Sequence, residues 1–370
     1  MTALQEIGWI DDDAKLARLV AALEHTSIAA VDTEFVREKT YYPQLCLIQI
    51  GTGDQVACVD CLAGLDLRPL YARLFDPSFT WVLHSARQDL EVVFRLAGRM
   101  PPRLIDTQVA AALTGYAPQV GLEGLLKRTL DVELGESFAR TDWSRRPLPE
   151  AALRYALDDV RHLLAAWERL DAELGRLGRR EWLREDSERL LAEHPVADAT
   201  AVWSRLKGAH GLKFASQCAA LALVRWRENA AQRSDRPRRW LLADDALLAI
   251  AAALPHDAEA LTALAESKFI ARSAPAILAA MESRNDAELQ AEVRANAMQA
   301  IPDKTLVKSL QERVRRHAAT LGIEPEILAT KRDLVGVALN DPPLHLRTGW
   351  RAKELAPIFD GVEPAEPRAI

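Results

Sequence analysis

Asp32 and Glu34 stand two residues apart in Ile28-Ala29-Ala30-Val31-Asp32-Thr33-Glu34-Phe35, directly after a run of small apolar residues. Such a run is a strand pattern, and the side-chain period of two puts both carboxylates on one face. Held side by side on a rigid strand, two carboxylates repel each other unless a proton or a cation sits between them. A hard divalent ion such as magnesium suits oxygen ligands of this kind. A lone Asp-x-Glu also fits a solvated strand end, so the pair gains meaning only from further acids. Asp89, in His84-Ser85-Ala86-Arg87-Gln88-Asp89, falls near the start of a helix, where the helix dipole by itself favours an acid. Tyr155 and Asp159 lie i, i+4 on a later helix and share a face. That face is away from the apolar stripe Leu153, Leu157, Val160, Leu164 and Trp167, which leaves a solvated pair as the competing reading. Asp158 rivals Asp159, one helical step further from the tyrosine.

These side chains need a scaffold, and the chain is long enough to supply one. Its 370 residues allow two or three domains, and 49% hydrophobic with 27% charged residues is an ordinary globular composition. A net charge of -6 carries no global nucleic-acid signature, although clustered basic residues would still bind one. Four cysteines make no disulfide framework at this length and point to a reducing compartment. Cys58 and Cys61 have C-x-x-C spacing, but no second pair follows at zinc-site distance, so they read as core or loop residues. No leader or membrane-length apolar run is seen, and a cytoplasmic location is expected.

Asp12 or Asp13 caps a first helix with Leu16, Leu19, Val20 and Leu23 on its apolar stripe. Strands are predicted at the Asp32 run, at 44–50, at 55–59, at 81–84 and at 103–105, the second and third forming a hairpin. Pro69 opens a helix reaching Phe75, Ser85 caps a helix running to Leu96, and Asp106 or Thr107 caps one through Leu113. After 122–130 a polar loop carries Arg140, Arg145 and Arg146, and a long helix follows Pro149. Three strands followed by strand-helix alternation give a mixed sheet flanked by helices. From about Asp198 the texture is Ala- and Leu-rich and helical, in blocks 203–281 and 297–359, with a loose tail from Gly361 to Ile370.

Asp-x-Glu on a strand, an Asp after a later strand and Tyr-x-x-x-Asp on a late helix form an ordered set that resembles the tyrosine-bearing branch of the DEDD exonuclease superfamily. Closer still is the ribonuclease D family, through Asp32-Thr33-Glu34-Phe35, Tyr41-Tyr42-Pro43 with Leu47-Ile48-Gln49, and Thr141-Asp142-Trp143-Ser144-Arg145-Arg146-Pro147-Leu148. Lys207-Gly208, Arg225-Trp226-Arg227-Glu228 and Arg238-Arg239-Trp240-Leu241-Leu242 resemble a first HRDC domain. Residues 323–333 with Gly349-Trp350-Arg351 resemble a degenerate second one. The resemblance implies a ribonuclease H-like α/β exonuclease domain over 1–197, an all-α HRDC domain over 198–285 and an HRDC-like domain over 286–370.

It also implies two-metal hydrolysis of a phosphodiester, with magnesium or manganese held by Asp32, Glu34, Asp89 and Asp159. Tyr155 would orient the attacking water. Nucleoside 5′-monophosphates would leave in the 3′-to-5′ direction from RNA, with tRNA precursors as the expected substrate. Thr33, Phe35, His84, Arg145 and Arg146 are the implied substrate contacts. For His84 a strand-end residue satisfied by backbone is the preferred alternative, and for the two arginines a solvated loop pair is equally consistent. Six arginines between 225 and 239, against Glu228 and Asp235, form a local positive excess that would make binding salt-sensitive; a solvated face is the alternative. Trp226, Trp240 and Trp350 are expected in the core rather than as base-stacking platforms. The rival functions are a DNA exonuclease and a non-catalytic RNA-binding protein, and an intact carboxylate set argues against the latter. Oligomeric state is not legible.

Overall fold

In a computed structural model, residues 5–193, 199–265, 267–297 and 303–361 are described. One sheet holds six strands, β1 (Gln5–Ile10), β2 (Ile28–Val36), β3 (Gln44–Gly51), β4 (Gln55–Asp60), β5 (Thr80–Leu83) and β6 (Arg103–Asp106), in the order β1-β4-β3-β2-β5-β6. Strands β2, β3 and β4 run antiparallel, while β5 and β6 extend the sheet in parallel beyond β2. This is the mixed sheet expected, with one strand more. β1 pairs in parallel with β4, and its register shifts between Glu6 and Gly8. A glycine at an irregularity erases the alternation by which a short strand is recognised.

Around the sheet lie α1 (Asp13–Leu23), α2 (Arg68–Leu74), α3 (Arg87–Ala97), α4 (Thr107–Leu113), α5 (Leu122–Leu130), α6 (Glu150–Arg161), α7 (Leu163–Leu177) and α8 (Arg180–Ala192). The alternation along β2 sorts them. Ala29 and Val31 are buried with Leu16, Leu19, Leu70 and Leu90, on the side of α1, α2 and α3. Ala30 is buried with Ala152, Ala156, Leu157 and Val160 of α6. Full burial of an aliphatic side chain of Val or Leu size stabilises by about 1.5–3 kcal/mol, so each face pins the strand's register. By the same period Asp32 and Glu34 face α6, and Thr33 faces α3.

Two local features set the approach of α6. A Cβ on Gly51 would stand 2.6 Å from the Val160 backbone oxygen, so only glycine lets β3 and α6 come this close. The single long helix predicted after Pro149 is two helices, because the chain turns at His162 (φ -109°, ψ -1°). A one-residue break keeps the three-four spacing, so Leu157, Val160, Leu164 and Trp167 still read as one stripe.

The described chain divides into two compact units, one of 5–36, 44–193 and 303–361 and the other of 37–43, 199–265 and 267–297. In the first, α4, α5, α7 and α8 share a core with helix Lys304–Leu321, including Leu113, Leu170, Leu310 and Val314. Buried Asp186 of α8 pairs there with Arg351 of helix Gly349–Phe359. The second unit is built on helix Phe214–Ser234, whose residues 218–224 are buried. Helix Ala287–Ala297, assigned by sequence to the third segment, packs in this unit through Leu289 and Val293. The connection 37–43 also belongs here: Tyr41 donates its hydroxyl to Glu228 at 2.9 Å, and the Tyr41 and Tyr42 amides donate to Asp235 at 3.1 and 3.0 Å. The junction at 197/198 and the tail beyond 361 lie outside the described residues. Among the described residues no helix is long and apolar enough to cross a membrane.

Candidate active site

Asp32 and Glu34 on β2 and Asp159 on α6 each offer one carboxylate oxygen, and these atoms lie within 4.8 Å of one another. They open on a cleft of about 500 Å³ that Phe35, His84, Asp89 and Tyr155 also line. Asp159 was expected as a metal ligand beside Tyr155, with a solvated pair and Asp158 as the competing readings. Both Tyr155 and Asp159 line the cleft, while Asp158 turns away to accept from Arg161 Nε at 2.9 Å. Asp89, buried in the first turn of α3, lines the same cleft but is outside the group of three. Its Oδ1 accepts from the Thr33 hydroxyl at 2.5 Å.

The turn that brings Asp89 in is held by an acid that the sequence marked only as a helix cap. Asp106 is buried at the end of β6 and accepts from the amides of Ser85, Ala86 and Gln108 at 3.0, 3.0 and 2.8 Å. It therefore caps α4 and also fixes the start of α3. Ser85, expected to cap α3, does not: it sits at φ 63° and Ala86 occupies the cap position without a side-chain bond. A non-glycine residue in the left-handed region costs free energy, and the Asp106 bonds offset that cost.

Charge is the dominant property of the cleft. Burial pushes Glu34 up to about 9, with repulsion from Asp159 and Asp89 adding to it. Asp159 rises to about 7 through burial and then repulsion from Asp158 and Asp89. Asp32 lies well above the usual carboxylate range for the same two reasons. Burial raises Asp89 to about 6, against the Thr33 hydroxyl, which lowers it. An all-oxygen donor set that is partly buried and mutually repelling fits a hard divalent cation, which removes both penalties when it binds. Tyr155 is raised above the usual phenol range, by burial first and then by Asp159, so its hydroxyl keeps its proton. Its ring stacks on buried Trp143 (6.3 Å, 26°) and leans on Phe138 (6.2 Å, 54°). That aromatic shelf fixes the direction of the hydroxyl.

The remaining candidates divide. Thr33 and Phe35 line the cleft. His84 lines it too, with Nδ1 2.9 Å from Thr107 Oγ1 and Nε2 3.0 Å from the Val120 carbonyl, and burial lowers its pKa. Arg145 and Arg146 do not line it. Exposed Arg145 binds Asp142 at 3.0 Å. Arg146 is spent on buried Asp60 (2.8 and 2.5 Å) and on the Trp143 carbonyl (2.8 Å), tying the 140–149 loop to β4. The sequence missed the partner because Asp60 is distant in the chain. In the helical unit, Arg227 is buried against Asp244 (2.6 Å), Arg238 reaches buried Glu228 (3.3 Å), and Arg225 pairs with Glu292. Arg233, Arg236 and Arg239 remain exposed. Trp350 is buried and Trp226 half-buried, but Trp240 is 59% exposed, contrary to expectation.

Residues 7–175 match the family model described as 3'-5' exonuclease, and residues 219–281 match the HRDC domain. Ribonuclease D of Granulibacter bethesdensis is 36% identical over 351 residues, covering 91% of this chain and 87% of the relative. The chain belongs to the ribonuclease D family. Membership makes it an enzyme of the 3′–5′ exoribonuclease type. Ribonuclease D of Pseudomonas paraeruginosa is 34% identical over 95% of this chain and 96% of its own. The crystal structure of Escherichia coli RNase D, described as an exoribonuclease involved in structured RNA processing, superposes with a TM-score of 0.83 at 29% identity, covering 96% of this chain and 97% of that one. The catalytic core of RRP6 from Trypanosoma brucei reaches 0.60 at 25% identity, over 76% of this chain and 80% of its own.

Proposed function

We propose that the cleft hydrolyses the 3′-terminal phosphodiester of RNA, releasing nucleoside 5′-monophosphates one at a time, and that the 3′ ends of tRNA precursors are its substrates. The observation that carries this reading is the convergence of Asp32, Glu34 and Asp159 oxygens within 4.8 Å on the floor of an open cleft. These three, with Asp89, would hold two divalent ions, magnesium or manganese. Bound there, the ions supply Lewis-acid activation of water and stabilisation of charge on the leaving 3′ oxygen.

The chain's own residues do the rest. Asp32, central to the set, must be ionised, as must Glu34 and Asp159, so protons compete with cations for the site. The Tyr155 hydroxyl, a fixed donor and acceptor on its aromatic shelf, orients the attacking water. Phe35 presents an apolar wall for the terminal nucleotide, and neutral His84 stiffens the rim through its bonds to Thr107 and Val120. The free cysteines suit work in the reducing cytoplasm.

End-labelled RNA and DNA oligonucleotides of one sequence, incubated with and without magnesium, test the proposal. Stepwise shortening of the RNA from its 3′ end, dependent on metal, supports it. Equal or faster loss of the DNA would move the assignment to a DNA exonuclease.

A further inference from the structure

Trp240 is 59% exposed, whereas Trp203 in the same unit is wholly buried. Its indole borders a groove of about 510 Å³ in the helical unit, lined also by Arg239, Asp245, Leu264, Ser267 and Ile270. Leu264, on the same groove, is 37% exposed. The backbone beneath the indole is fixed, since Trp240 N donates to the Pro237 carbonyl at 2.9 Å and the next two residues, Leu241 and Leu242, are buried. A large aromatic on a rigid support at the mouth of a groove is a preformed platform.

We propose that this groove takes an unpaired base of single-stranded RNA, stacked on Trp240. The proposal rests on the RNA reading above and adds a second contact point, outside the cleft. Charge selects the ligand. Among the four arginines of residues 233–239, Arg238 and Arg239 pair with Glu228 and Asp244 at 3.3 and 3.6 Å, while Arg233 and Arg236 are exposed beside the indole's segment. These cations attract the phosphates of a polyanion and give a neutral apolar peptide nothing to pair with. Asp245, exposed on the groove wall, repels a phosphate from the groove itself but accepts from the exocyclic amine of a base. The Ser267 hydroxyl adds a second polar group at the wall. A base inside and its phosphates outside, along the arginines, satisfy both sets of groups. Stacking on an aromatic is sequence-tolerant and needs an unpaired base.

The test compares wild type, Trp240→Ala and Trp240→Phe on a 20-nucleotide single-stranded RNA, the same RNA in a duplex, and a dinucleotide. Trp240→Ala is expected to weaken equilibrium binding of the single strand about tenfold, with Trp240→Phe recovering most of the loss. Duplex binding and dinucleotide hydrolysis are expected to stay at the wild-type level. Single-strand affinity equal to wild type in Trp240→Ala overturns the proposal. A change in oligomeric state with RNA affinity intact also overturns it, and assigns the groove to a second copy of the chain. If the wild type degrades neither RNA nor dinucleotide, the hydrolytic reading fails while the binding comparison still decides this one.

Discussion

The hydroxyl of Thr33 donates to Asp89 Oδ1 at 2.5 Å. Thr33 lies between Asp32 and Glu34 on β2, so strand alternation turns the two acids toward α6 and the threonine toward α3. One strand therefore supplies two of the converging carboxylates and aims another from behind. Thr33→Val keeps the shape and removes the donor. A hydrogen bond to a charged group is worth about 1.5–3 kcal/mol, so kcat is expected to fall roughly 10- to 100-fold, with Thr33→Ser recovering most of it. Single-turnover rates on end-labelled RNA measure this, and an unchanged rate would show that Asp89 needs no such aim.

Tyr155→Phe leaves the contacts with Trp143 and Phe138 in place and deletes only the hydroxyl. Turnover is expected to drop about 100-fold or more, while the dissociation constant for RNA, measured in calcium, moves less than threefold. An equal loss of binding would make Tyr155 a structural residue.

The raised carboxylates link stability to pH and metal. Glu34 and Asp159 stand near 9 and 7 in the folded, metal-free chain, against about 4 when unfolded. Between those values the folded state holds more protons than the unfolded one, so stability falls as pH rises. The contribution is full below about pH 4 and is lost by about pH 9. Melting in chelator at pH 6 and pH 9 is expected to show the lower Tm at pH 9. Magnesium should raise Tm most at pH 9, because cations take the place of the protons. A magnesium shift independent of pH would contradict the cluster's role in binding it.

Arg146 is spent on Asp60, not on the cleft. Removing one partner of a mostly buried ion pair leaves the other charge stranded, at a cost of about 3 kcal/mol. Arg146→Ala should therefore lower the urea midpoint markedly, with the KM for RNA unchanged under conditions where the variant is folded. Arg145→Ala, at an exposed pair with Asp142, should change stability by less than about 1 kcal/mol. A raised KM with unaltered stability in Arg146→Ala would restore it as a phosphate contact.

Much of this site is local in sequence. The two-residue spacing of Asp32 and Glu34 and the four-residue spacing of Tyr155 and Asp159 are read without tertiary knowledge, because strand and helix periods fix which side chains share a face. What the chain did not reveal depends on distant partners. Asp106 could be read as a helix cap, but not as the anchor of Ser85 and Ala86 twenty residues earlier. The break at His162 and the strand around Gly8 leave no clear mark on apolar spacing. Trp240 is an aromatic in an otherwise core-like run, and only packing shows that it is left 59% exposed.

Asp32→Asn tests the central claim most directly, in a 3′-end degradation assay on end-labelled RNA at saturating magnesium. The substitution keeps the side chain's size and removes the charge at the middle of the cluster. Release of nucleoside 5′-monophosphate should fall at least 1,000-fold, about 4 kcal/mol of activation free energy, with the fold intact by circular dichroism. Release at the wild-type rate would show that these carboxylates are not the catalyst.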